Sequence, residues 1–148
     1  SSSAASDVYK RQKLIFQSLW CPMLDDRNNY VSSYAINDPR VWSRDDNLRA
    51  WRAYLGRDGG GKDTSAYAAP SRALDLTGLP PVYMRVGSLD LFLDENTAYA
   101  ERLVSAGVQT DFAVIDGAFH AFEMLPNAEL SRKVRDGHFA AIKDALFS

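Results

Sequence analysis

The sequence lacks several features that would assign it to a specialised class of protein. It has a single cysteine, Cys21, so no internal disulfide can form, and the apolar neighbours predict a buried side chain rather than a nucleophile. The net charge of −2 provides no footprint for binding nucleic acid or an anionic membrane. No run approaches the ~20 apolar residues of a membrane span, and no signal peptide is recognisable. We therefore expect a cytoplasmic protein without nucleic-acid or membrane partners.

The composition that is present is that of an ordinary globular domain. The 148 residues include 46% hydrophobic and 24% charged residues, which is enough for one apolar core. Residues 1–12 are polar and follow neither a strand period nor a helical period. We interpret them as a non-native or disordered leader, and we expect the fold to lie within residues 13–148.

Strand and helix patterns alternate along these residues. Three runs bounded by Pro or Gly and rich in β-branched and aromatic residues predict strands. They are Lys13 to Trp20, the run from Pro81 to Asp90, and Thr110 to Ile115. Helical spacing of apolar residues follows each of them, from about residues 43, 94 and 127 onward. This alternation indicates an α/β fold with about three parallel strands and flanking helices.

Two residues at the ends of these strands carry groups suited to proton transfer. Asp90 follows the central strand, and His120 lies in the segment DGAFHAF after the last strand. Parallel neighbouring strands end at the same edge of a sheet, where ligands and catalytic groups collect. A carboxylate on the far ring nitrogen of a histidine fixes its tautomer and stabilises the imidazolium. The pair is thus a candidate for two-thirds of a Ser-His-Asp triad, although spacing alone also permits purely structural roles.

Several motifs resemble those of one known family. The run LTGLPP, the following strand, the motif G-x-x-D-x-x-x-D-E and the motif G-A-F-H-x-F resemble the hormone-sensitive-lipase-like, bacterial esterase branch of the α/β-hydrolases. The resemblance implies that Asp90 is the triad acid and His120 the general base. It also implies hydrolysis of a small-molecule carboxylic ester, with no metal and no cofactor. Leu91 and Phe92 replace the Pro and Leu that most often follow the acid, which is a mild departure.

The nucleophile of such an enzyme is not recognisable in the sequence. No serine lies in a Gly-x-Ser-x-Gly elbow, since Ser88 follows Gly87 but Asp90 occupies the second glycine position. A His-Gly-Gly oxyanion motif is also missing. We therefore expect residues 13–148 to be the C-terminal portion of a single α/β-hydrolase domain, supplying acid and base only. By itself the chain is expected to be inactive.

Further expectations concern the substrate, the oligomeric state and alternative functions. Leu91 and Phe122 flank the acid and base and are predicted to line the acyl pocket. The last strand is expected at a sheet edge, which favours a homodimer formed through it. The alternative function is a non-catalytic small-molecule-binding or decayed hydrolase module. A different α/β-hydrolase activity, such as a peptidase or a thioester hydrolase, also remains open because fold does not fix function.

Overall fold

The centre of the fold is a parallel sheet of three strands. The computed structural model describes residues 14–147, so the predicted leader at residues 1–12 lies outside the described part. The strands are β1 (Gln17–Trp20), β2 (Val82–Leu89) and β3 (Thr110–Phe119), and β2 lies between the other two. The predicted α/β class with three parallel strands and flanking helices is confirmed.

Residues 14–147 form four α-helices in addition to this sheet. They are α1 (Val31–Ala35), α2 (Arg44–Leu55), α3 (Leu93–Ser105) and α4 (Glu129–Phe147), and single 3-10 turns occur at Pro70–Arg72 and Phe122–Met124. At the start of α2, Ser43 and Asp46 form a capping box, and Gly56 ends the helix with φ of 68°. None of the helices in the described residues has the length and apolarity needed to cross a bilayer.

The last strand is longer than its sequence pattern suggests. It was expected to end at Ile115 but continues to Phe119, and Leu89 pairs with Phe119 beyond an irregularity in the register. Gly87 makes this possible, because a Cβ atom there would collide with the carbonyl group of Ala118. As a result, the segment DGAF belongs to the strand, and His120 follows its last residue directly.

The sheet is covered on both faces, as a parallel sheet requires. The larger core cluster includes Met84 and Leu103, and it joins β2 to α3. The helix α4 contacts the sheet at β1. There the ring of His138 is stacked on that of Trp20, with centroids 3.8 Å apart. Gly137 allows α4 to approach the sheet closely, since a Cβ atom at this position would lie 2.5 Å from the Tyr83 hydroxyl.

A carboxyl group is buried where α3 begins. Glu95 is 1% exposed, and its Oε1 atom accepts hydrogen bonds from the backbone N–H groups of Leu24 (2.7 Å) and Asp25 (3.3 Å). Burial raises the pKa of Glu95 to about 8, and the nearby charges of Asp25 and Asp90 act in the same direction. The folded chain therefore favours the protonated form of the Glu95 carboxyl.

Replacing this carboxyl should change how stability depends on pH. A raised folded-state pKa contributes stability that is present below about pH 4.5 and is lost as the pH rises through about 8. Glu95→Gln keeps the acceptor oxygen but cannot ionise. Between these pH values, the free energy of unfolding of the variant should rise relative to that of the wild type, by about a few kcal/mol.

Urea unfolding across this pH range measures the difference. Glu129→Gln is the matched control, because Glu129 also lies in the first turn of a helix but is exposed. Parallel pH profiles for the wild type and the Glu95 variant would show that Glu95 does not ionise with a raised pKa.

Candidate active site

The predicted acid and base lie side by side at one edge of the sheet. Asp90 is the residue after β2, and His120 is the residue after β3. The Nδ1 atom of His120 lies 3.0 Å from Oδ2 of Asp90. The structure thus brings together the two residues that the sequence predicts, and we call them the Asp90–His120 dyad.

The acid is held rigidly. Asp90 is fully buried, and its Oδ1 atom accepts a hydrogen bond of 3.0 Å from the backbone N–H of Phe92. Its carbonyl group accepts a further bond from the N–H of Leu93, where α3 begins. Because one carboxylate oxygen is occupied by the backbone, the other is directed at the imidazole.

The base lies between two aromatic rings. The His120 ring makes an edge contact with Phe92, with centroids 5.1 Å apart, and a tilted contact with Trp42 at 5.8 Å. Its side chain is 20% exposed, whereas that of Asp90 is fully buried. With the Nδ1 proton donated to Asp90, the lone pair of the neutral ring is on Nε2. The dyad can therefore accept a proton at Nε2 and stabilise the resulting imidazolium.

A thiol lies beside the dyad. Cys21 follows β1, has a left-handed backbone with φ of 32°, and is buried as predicted. Its Sγ atom is 3.9 Å from Oε2 of Glu123. Burial raises the pKa of the thiol to about 12, and the charges of Asp90 and Glu123 contribute in the same direction. The neutral thiol is a poor nucleophile, which fits the sequence interpretation.

A cleft of about 1110 Å³ opens next to the strand ends. Leu89 and Phe119, the residues directly before the acid and the base, form part of its wall. The opposite wall is the segment of residues 35–41, with Leu125 completing the lining. The lining is mainly apolar in character, and it is large enough for a small organic molecule.

The two residues predicted to contact the substrate, Leu91 and Phe122, are not among those that line this cleft. Leu91 is 1% exposed and Phe122 is 4% exposed, and each is packed in a hydrophobic cluster. Neither lines the cleft. For the residues that line the cleft, the sequence gives a partial signal, because Leu89 and Phe119 directly precede Asp90 and His120. No local signal marked residues 35–41, which reach the cleft only through the tertiary fold.

Hydrogen bonds attach α1, whose last residue Ala35 lines the cleft, to the helix that follows the acid. The backbone N–H of Ser32 donates to Oδ2 of Asp94 (2.8 Å), and its hydroxyl donates to the carbonyl of Leu91 (2.8 Å). The N–H of Asp94 donates back to the Ser32 hydroxyl at 3.2 Å. The helix that leads into the wall of residues 35–41 is therefore attached to the turn after Asp90.

The serine nearest to the acid in sequence has a structural role. The Ser88 hydroxyl donates to Oδ1 of Asp116 (3.3 Å) and accepts a bond from the N–H of Gly117 (2.9 Å). These contacts tie the ends of β2 and β3 together. Within residues 14–147, no serine hydroxyl forms a hydrogen bond with His120.

Comparison with known proteins supports the same interpretation. Residues 2–124 match a family described as having the α/β hydrolase fold. A solved bacterial heroin esterase is 35% identical, with a TM-score of 0.86, and the match covers 98% of this chain and 47% of that protein. The esterase LipW from Mycobacterium marinum is 32% identical, with a TM-score of 0.82, 91% of this chain and 42% of that protein being covered.

A curated esterase from Acinetobacter venetianus is 36% identical over 50 residues, which is 34% of this chain and 16% of that protein. The chain thus spans less than half the length of these relatives. The predicted resemblance to the hormone-sensitive-lipase-like bacterial esterases is confirmed. Together with the parallel sheet, the match over residues 2–124 shows that this chain belongs to the α/β-hydrolase fold family.

Proposed function

We propose that this chain supplies the acid and the base of a serine carboxylic ester hydrolase. The observation that carries the proposal is the 3.0 Å contact between His120 Nδ1 and Asp90 Oδ2 at the carboxyl ends of adjacent parallel strands. The likeness to solved esterases over nearly the whole chain points to the same reaction class.

In the proposed reaction, His120 acts at its Nε2 atom. It accepts the proton of a serine hydroxyl as that oxygen attacks the ester carbonyl, and it returns the proton to the leaving alcohol. It then activates a water molecule, whose attack releases the acid and regenerates the serine. Asp90 holds the imidazole in the required tautomer and stabilises the positive charge in both steps.

The sequence contains no recognisable motif for the serine nucleophile or the oxyanion donors of this reaction. No Gly-x-Ser-x-Gly elbow occurs in the 148 residues. The relatives that match are about twice as long as this chain, which leaves room for these groups in a complete enzyme. We therefore place acid and base here and the nucleophile elsewhere.

The apolar cleft is the proposed binding site for the organic part of a small-molecule ester. Leu89 is 53% exposed although it directly precedes the acid. An exposed apolar side chain at this place offers a surface for an acyl or alcohol group. A direct contact of Leu91 or Phe122 with a substrate stays a prediction.

A homodimer through β3 is a further proposal. In the described residues, β3 pairs only with β2, so its other edge has free backbone groups. Val114 in this strand is 43% exposed. The cytoplasmic location and the lack of nucleic-acid and membrane partners likewise stay predictions.

Substitution of the dyad tests the proposed chemistry. In a fusion of the N-terminal part of the bacterial heroin esterase with residues 14–147, we expect hydrolysis of p-nitrophenyl acetate. His120→Ala and Asp90→Asn should lower kcat by about 10³-fold or more, because the base or its orienting partner is lost. Initial rates at saturating substrate measure the effect, and circular dichroism checks folding.

Asp144→Asn is the matched control, since it makes the same chemical change on the exposed side of α4. The unfused chain should show no turnover above background. An active fusion whose rate is unchanged by both dyad substitutions would disprove the roles of Asp90 and His120. A folded fusion that binds esters without cleaving them would favour the non-catalytic binding module.

The role of the cleft is tested by Leu89→Gln in the same fusion. A polar amide in the apolar wall should lower kcat/KM for p-nitrophenyl butyrate about 3- to 10-fold more than for the acetate, because the longer acyl chain loses apolar contact. Leu74→Gln is the control, as Leu74 is fully exposed and distant in sequence from the cleft residues. An equal loss for both esters would argue against acyl binding at Leu89.

The proposed dimer can be tested by sedimentation equilibrium of the wild type and Val114→Lys. A lysine on an edge strand opposes pairing with a second strand. The wild type should sediment as a dimer and the variant as a monomer. A monomeric wild type at high concentration would rule out this interface.

A further inference from the structure

Each of the three strands is followed directly by a residue with a metal-binding side chain. Cys21 follows β1, Asp90 follows β2, and His120 follows β3. The parallel sheet therefore aligns a thiol, a carboxylate and an imidazole along one edge. Their ligand atoms all lie within 4.8 Å of one another. Only Asp90 and His120 have a role in the proposed reaction, and the third member of the cluster is unexplained.

We propose that these three side chains bind a thiophilic divalent cation, with Zn²⁺ and Cd²⁺ as the matching class. Thiolate sulfur, imidazole nitrogen and carboxylate oxygen are the donors that Zn²⁺ takes in proteins. Bond lengths of ~2.0–2.3 Å to a shared cation place tetrahedral ligand atoms roughly 3–4 Å apart. The 3.0 Å separation of Asp90 Oδ2 and His120 Nδ1 already meets this requirement.

The local charge favours a cation. Asp90 and Glu123 both lie near the Cys21 sulfur, and Glu123 Oε2 is 3.9 Å from it. Within residues 14–147, no lysine or arginine forms an ion pair with either carboxylate. The negative charge that disfavours a free thiolate is neutralised when a cation binds, and the coordinated thiol then loses its proton to solvent. The three clustered side chains leave further coordination positions of the cation to solvent.

Binding of a cation at this site would prevent the Asp90–His120 dyad from transferring a proton. A cation on Nδ1 of His120 and Oδ2 of Asp90 replaces the hydrogen bond that orients the base. Binding of the cation stands on the geometry alone, whereas inhibition of ester hydrolysis rests on the proposed function. The two are therefore measured separately.

The test uses the 148-residue chain itself, titrated with CdCl₂ under reducing conditions. Because Cys21 is the only cysteine, a thiolate-to-Cd²⁺ charge-transfer absorption can arise from that residue alone. We expect the band to saturate at one cation per chain and to disappear on addition of excess Zn²⁺, which competes for the site. Cys21→Ser should abolish it.

Two variants show whether the band reports the cluster or an isolated thiol. His120→Asn and Asp90→Asn keep the cysteine, and each should weaken Cd²⁺ binding about 10- to 100-fold, since each removes a ligand. Asp144→Asn should leave binding unchanged, and circular dichroism should show that all variants are folded. No band with the wild type, or an affinity insensitive to both substitutions, would overturn the proposal.

The inhibitory consequence is read from the active fusion. Zn²⁺ should lower its rate at least about 10-fold, and the ratio of rates with and without Zn²⁺ should move toward one in Cys21→Ser. An inactive fusion together with an intact Cd²⁺ band would count against the proposed function and not against the cation site. An active fusion combined with no Cd²⁺ band would count against the cation site and not against the proposed function.

Discussion

The parallel pairing of β2 with β3 is the constraint on which the rest of this structure depends. It sets two chain segments, 30 positions apart at Asp90 and His120, at one edge of the sheet with their side chains in contact. The irregular register near Gly87 is part of this arrangement, because the close approach of Ala118 leaves no space for a side chain there. Backbone geometry, more than any side-chain attraction, brings the acid to the base.

Burial divides the polar groups around this edge into different chemical roles. Asp90 is buried, and its two carboxyl oxygens have a backbone N–H and an imidazole as partners. Glu95, only five positions later, has backbone partners on one carboxyl oxygen alone, and burial raises its pKa. Two buried carboxyl groups in one short segment thus have different partners, one belonging to the dyad and the other bound to the backbone.

Much of this arrangement could be predicted from the sequence, and the remainder had physical reasons for being missed. Asp90 and His120 were identifiable because strand ends and their flanking residues are local patterns. The continuation of β3 to Phe119 was not, since it depends on pairing with Leu89 in another strand. The burial of Leu91 and Phe122, and the placement of residues 35–41 in the cleft, likewise follow from tertiary packing that periodicity does not encode.

The hydrogen bonds of Ser32 to Leu91 and Asp94 connect α1, which leads into the wall of the cleft, with the residues that follow the acid. Through these bonds, a displacement of α1 would act on the turn that follows Asp90. Recognition of a ligand and alignment of the proton-transfer groups are then not independent properties of the protein. A sequence change that moves this wall through α1 would therefore be expected to alter reaction rate and ligand preference together.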